Sequence, residues 1–256
     1  VKDNQQAESN MAIARKNLDN MVKYASGSET HVNIGSTIDF NIASGISRSA
    51  REIMADCIIL GWPSATNFLE KFVGEKSESI LNRTSANVMM CQFNKPFISH
   101  KKIIVFAPPL SESEFGFEYW VEKVLKLGQE LTIPIKFVCD ERSQTATEEY
   151  LNEIKNSVPV EFSTYNNWDN ILGLFSFRED HAFTFYVSSR YGEVSYRDSL
   201  DGLAKKLDKV HENENVVLVF PSRIDNQHID EYEDVQAAPI FRKISKEIGN
   251  MFNKDK

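Results

Sequence analysis

Two short glycine-bearing segments hold residue types that could grip an anion. Gly61-Trp62-Pro63-Ser64 follows the apolar run Asp56-Cys57-Ile58-Ile59-Leu60, and Gly74-Glu75-Lys76-Ser77 begins ten residues after Ser64. Glycine lets backbone N–H groups close on a phosphate at a helix start, which any phosphate cradle requires. Lys76 and Ser77 would add a positive charge and a hydroxyl, and the Ser64 hydroxyl could itself donate. Glu75 works against them by setting a carboxylate beside the phosphate. Trp62 could stack an adenine ring, although such a residue more often caps a core or an interface. Gly74 to Ser77 also looks superficially like a P-loop, but the upstream glycine of that motif is missing.

Other chemistry is poorly provided for. Histidines 31, 100, 181, 211 and 228 are far apart, with no HExxH-type spacing, so no metal ligand set is assigned. No G-x-S-x-G elbow is present, and Ser188-Ser189 lacks its glycines. Glu112, Glu114, Glu148, Glu149 and Glu153 are expected on helix starts or solvated faces, where they favour the helix dipole. Cys57, Cys91 and Cys139 each fall in an expected strand and are read as inert buried thiols. No catalytic residue is assigned.

The elements that would position the loop follow from hydrophobic period. Asp56 to Gly61 and Asn87 to Phe93 are short apolar runs of the kind a strand buried on both faces shows. A helical segment with Phe68, Leu69, Phe72, Val73, Ile80 and Leu81 joins them, giving one parallel βαβ unit. Upstream, Glu8 to Ala25 has helical spacing, Thr30 to Ile38 alternates as a strand, and Asp39 is expected to cap a helix through Ile42, Ile46, Ala50 and Ile53.

Downstream of a polar stretch around Pro96, strands are expected at Ile103–Ala107, Ile133–Cys139, Val158–Phe162, Ala182–Ser188 and Val216–Phe220. Helices are expected between them at Glu114–Leu131, Thr145–Ser157, Asn167–Phe175 and Ser199–Val210. This alternation predicts a parallel sheet with helices on both faces. An acidic run from Asp230 to Asp234, a solvated connector or a docking strip for a basic partner, precedes a last amphipathic helix through Ile240, Phe241, Ile244, Ile248 and Met251.

The two halves repeat each other. Asp56 to Val88 is 32 steps and His181 to Val216 is 35, so the first half matches the back of the second but lacks an opening strand, helix and strand. The expected division is 1–95 for the incomplete half, 96–100 for a linker, 101–222 for the complete half and 223–256 for the connector and final helix.

With these elements in hand, the loop resembles that of the universal stress proteins, whose pattern is D-x-I-V-x-G-x2-G-x9-G-[S/T]. Asp56, Gly61, Ser64 in place of the second glycine, nine residues, then Gly74 followed by Glu75 fit that spacing. The resemblance implies a three-layer α/β/α fold of the adenine nucleotide alpha hydrolase type, in two tandem copies with the first incomplete. It implies ATP or AMP as ligand at Gly61, Trp62, Ser64, Gly74, Glu75, Lys76 and Ser77, although no cofactor is fixed by the residues themselves. In the second copy only Gly192 remains of the pattern, and Ala107-Pro108-Pro109 stands where the family commonly has a ribose-binding aspartate. The resemblance further implies pairing through the last strands, with Asn87–Phe93 facing Val216–Phe220, and a homodimer is a further expectation.

Such tandem units with eroded loops are similar to the cytoplasmic C-terminal region of cation/proton antiporters, which implies a membrane transporter as partner in cis. The alternative is a free-standing tandem stress protein that binds ATP or AMP and hydrolyses ATP slowly. The net charge of −8 argues against nucleic acid as partner. No run approaches the ~20 apolar residues of a membrane span. The expectation is a cytoplasmic segment, and the first residue, Val1 rather than Met, suggests a fragment or processed product.

Overall fold

The computed structural model describes residues 31–39, 41–62, 79–208, 211 and 213–224, with isolated helical positions between 12 and 22. The helices expected over most of 8–25, between 63 and 78, and after 225 lie outside the described residues.

Among the described residues, a single seven-stranded sheet organises the chain. Its strands are β1 (Cys57–Gly61), β2 (Asn87–Gln92), β3 (Lys102–Phe106), β4 (Ile135–Cys139), β5 (Val160–Thr164), β6 (Ala182–Val187) and β7 (Val216–Phe220), in the order β1-β2-β7-β6-β3-β4-β5. Every pairing is parallel except that of β2 with β7, where Met90 lies opposite Leu218. The expected last strands therefore do face each other, and their antiparallel pairing sets the carboxyl ends of β1 and β2 at the opposite end of the sheet from those of β6 and β7.

Alternation along the strands makes three layers. Ile103, Val105, Phe183, Phe185, Val217 and Val219 point to one face, under helices α2 (Phe117–Leu131) and α3 (Glu141–Glu153), with Trp120, Val121 and Val124 buried between. Ile104, Phe106, Tyr186, Val216 and Leu218 point to the other, under Trp168, Ile171, Leu174, Leu203 and Leu207. A third cluster packs helix α1 (Ile42–Glu52) through Ala43 and Ala50 on Ile58, Ile80 and Val88.

Several expectations are corrected. Residues 31–39 form no strand, and Val32, Ile34 and Ile38 are exposed. Alternation alone cannot hold a strand that no neighbour pairs. The cap of α1 is Asn41, whose side chain accepts from Ala43 N and Ser44 N, while Asp39 pairs with Arg48 at 3.2 Å. Among the stripe of Ile42, Ile46, Ala50 and Ile53, only Ala50 is buried. α3 starts four residues before Thr145, because Asp140 accepts from Ser143 N at 2.9 Å and caps it there. The connection between β5 and β6 is a 3₁₀ segment, Ile171–Phe177, not an α-helix. The helix expected from Ser199 is a 3₁₀ turn, Asp198–Leu200, followed by α4 (Leu203–Asp208).

Candidate functional site

Gly61 is the last residue of β1, and Trp62 N donates to Cys91 O at 2.7 Å. The Trp62 ring is partly buried against the second face's core, beside Leu60 and Phe220. Ser64, Gly74, Glu75, Lys76 and Ser77 lie outside the described residues.

The turn after β6 is described throughout, and it borders a cavity of about 430 Å³ beyond the carboxyl ends of β6 and β7. Ser188, Ser189 and Arg190 form one wall; Leu200, Gly202 and Leu203 form another. Met90, Leu218 and Phe220 supply apolar floor, and Leu81 and Asn82 close the side, so both halves of the chain line it.

This turn keeps the glycine spacing of the loop after β1. Ser189, Gly192 and Gly202 stand in the same spacing as Gly61, Ser64 and Gly74, thirteen residues from first to last in each case. Gly202 sits directly before α4 at φ +62, and Gly192 has φ +89, conformations that favour glycine. Gly192 is the glycine the sequence pattern picks out; Gly202 falls inside the helix expected from Ser199, and counting from Ser189 brings it into register.

Arg190 is 6% exposed and spans the junction between the halves. Its guanidinium donates to the carbonyls of Leu81, Thr84 and Ala86, at the end of helical residues 79–83. A cation at a helix carboxyl end meets both the dipole and the unpaired carbonyls. Arg223 joins it through Asn82 O at 3.2 Å. Burial, and then Arg223, lower the Arg190 guanidinium to about 10.

Glu114 departs most from expectation: it is 5% exposed, not solvated. It follows β3 and reaches across the crevice to the turn after β6, where its Oε1 accepts from Ser189 Oγ at 2.9 Å, Ser195 N at 3.1 Å and Ser195 Oγ at 2.6 Å. Ser195 is itself buried. Glu193 lies beside this carboxylate, and burial followed by the Glu114 charge raises its carboxyl above the usual range. Two residues earlier, Glu112 accepts from Ser143 Oγ at 2.6 Å, so the short turn Ser111–Ser113 is fixed from both sides. No signal in the sequence distinguishes Glu114 from the neighbouring surface glutamates.

The cysteines sit in β1, β2 and β4, free of disulfides. Burial raises the Cys91 and Cys139 thiols to about 12, which leaves almost no thiolate at neutral pH.

No protein-family model and no curated protein matches the chain. Solved structures do. A functionally unknown protein from Pseudomonas aeruginosa PAO1 is similar at a TM-score of 0.55 and 10% identity, over 81% of this chain and 78% of that one. A protein from Pseudomonas aeruginosa UCBPP-PA14, proposed to be a universal stress protein, gives 0.54 at 10% identity over the same shares, 81% and 78%. The cytoplasmic domain of a prokaryotic cation chloride cotransporter gives 0.47 at 9% identity, over 73% and 72%; at that score the likeness carries no argument. The fold is universal stress protein-like, a mostly parallel α/β sheet between helical layers. Identity this low speaks to fold and not to activity.

Proposed function

We propose that this chain is a non-catalytic regulatory module that senses a small ligand or a protein partner and biases a membrane transporter attached in cis. The observation that carries this reading is the cavity lined from both halves, because an occupant there touches Leu81 and Asn82 on one side and Ser188 to Arg190 on the other. Binding would thereby alter how the two halves are held, which is the coupling a regulator needs. No helix among them is long and apolar enough to cross a membrane.

A monovalent cation/proton antiporter is the transporter that the resemblance of the sequence suggests, with weak adenine nucleotide binding at Gly61 to Ser77. Calorimetry on the 256-residue chain with ATP, AMP and cyclic dinucleotides tests the ligand arm. Saturable heat with an adenine nucleotide, abolished in Gly74→Val, is the expected result. No heat with any of them at millimolar concentration overturns nucleotide sensing and leaves protein interaction. The transporter arm is read from the coding sequence upstream of Val1: membrane-spanning segments support it, and a start codon with none before it favours the free-standing alternative.

A further inference from the structure

The second half offers an anion site that is already filled. Three donors, the Ser189 hydroxyl, the Ser195 amide and the Ser195 hydroxyl, converge on one oxygen of Glu114. They belong to the turn after β6, whereas Glu114 arrives from the turn after β3. Those two strands are sheet neighbours whose connections leave in opposite directions, β4 beyond β3 and β7 beyond β6, so the crevice between them is the switch point at which open α/β sheets bind ligands.

A buried carboxylate is tolerated only where donors replace its lost hydration. The converse holds for the turn: without an anion, the buried Ser195 amide and hydroxyl lose this acceptor, and the Ser189 hydroxyl keeps only a long contact to Arg190 O at 3.5 Å. Arg190, whose charge interacts with Glu114, lines the cavity beside the site, and its Nε is buried without a hydrogen-bond partner among the described residues. Arg190 thus sets a positive charge beside the site, while burial first and then the Glu114 charge push the second carboxyl, Glu193, toward its neutral form.

We propose that the turn after β6 is an oxyanion site kept occupied by the chain's own Glu114 carboxylate. A small external oxyanion, inorganic phosphate or a carboxylate such as formate, takes this position where the Glu114 side chain is absent. The oxyanion position at Ser189 and Ser195 is thus closed in cis, while the adjoining cavity, whose lining does not include Glu114, is left for other ligands. Nucleotide binding at Gly61 to Ser77 is not required, because Glu114 and its donors Ser189 and Ser195 all lie outside that segment.

Anion rescue tests the idea on the full chain. Glu114→Ala is melted in chloride, phosphate and formate at matched ionic strength, beside the unsubstituted protein and Glu114→Gln. In chloride the alanine variant melts lower than the unsubstituted protein. Phosphate or formate then restores at least half of the lost melting temperature, saturably, and calorimetry detects the anion in Glu114→Ala only. Glu114→Gln, whose amide still fills the site, gains nothing. If the alanine variant is folded by circular dichroism but phosphate and formate raise its melting temperature no more than the wild type's, the proposal is wrong. Equal phosphate affinity in both proteins overturns it too. Should Glu114→Ala not fold in chloride, refolding yield is the readout: recovery in phosphate or formate supports the site, and no recovery in either anion refutes it.

Discussion

Tyr186, His211, Glu214 and Arg178 form a file of side chains at the amino end of β7. Tyr186 Oη lies 2.9 Å from His211 Nε2, His211 Nδ1 lies 2.6 Å from Glu214 Oε2, and Arg178 donates to Glu214 Oε1 at 2.8 Å. The carboxylate must accept from Nδ1–H, which leaves Nε2 to accept the tyrosine proton: a neutral imidazole satisfies every member. Burial lowers the His211 imidazole below its ordinary 6.5, outweighing the opposing pull of Glu214. His100, packed on Phe183, is lowered by burial as well. With folded values depressed, the unfolded chain binds more protons once the pH drops below about 6.5, so stability declines as pH falls through that range. Glu214 behaves differently: burial raises it, but hydrogen bonds from His211 and Arg178 bring it below its ordinary 4.5, so its contribution is lost only in stronger acid. Urea midpoints should therefore fall between about pH 7.5 and 5.5, and fall less in His211→Gln. A midpoint that does not move over this range in the unsubstituted protein contradicts the assignment.

Among the elements, α2 starts hard against both Asn87 of β2 and Ser222 beyond β7. A Cβ on its cap residue Gly116 would lie 2.3 Å from Ser222 N and 2.6 Å from Asn87 Oδ1. Asn87 accepts there from Ser222 N at 2.9 Å and donates to Asp56 O at 3.0 Å, so the contact ties β2, the exit of β7 and the entry to α2 together. Gly116→Ala should cost about 1–3 kcal/mol through displaced backbone, visible as a lower urea midpoint. A change within error would mean that the junction yields freely. This crowding could not be read from the sequence, since Gly116 sits in an ordinary polar-to-helical transition and its neighbours are remote in the chain. Most strands are legible because they are short apolar runs, β5 with its Glu161 and Ser163 being the exception: Val216–Phe220 matches residue for residue, and the other strands expected from Asp56 onward lie within two residues of the observed ends. Thr30 to Ile38 had the right alternation but no partner, and Asp140 outcompeted the later start expected for α3 by capping it. The site divided the same way. The glycine spacing could be counted in both halves, whereas the burial of Glu114 and Arg190 depends on contacts 75 or more residues apart, from Ser189 to Glu114 and from Arg190 to Thr84.

At the scale of the molecule, the strands of the described residues form one sheet because β2 covers the free edge of β7. Val216 to Phe220 is an unbroken apolar strand with no proline or charge to deter pairing, and five residue pairs join it to β2 from Val88 through Gln92. Further ties cross the same seam: Asn215 Oδ1 accepts from Asn94 N and Lys95 N, and Arg223 N donates to Ser85 O. The seam is close to self-complementary, since each side presents the second strand of a parallel pair, β1–β2 against β6–β7. An exposed edge of that kind recruits another strand. A fragment of residues 101–224, which retains β3 to β7 and both helical layers over them, would uncover β7 and should dimerise by placing a second β7 where β2 lies, with Leu218 near the two-fold axis. Light scattering on the folded fragment should give twice the monomer mass at micromolar concentration, and hydrogen exchange should find the β7 amides protected in proportion to dimer. A folded fragment that stays monomeric, with β7 amides exchanging freely, would show that β2 supplies side-chain packing β7 cannot provide for itself, and that the seam is specific to the intact chain.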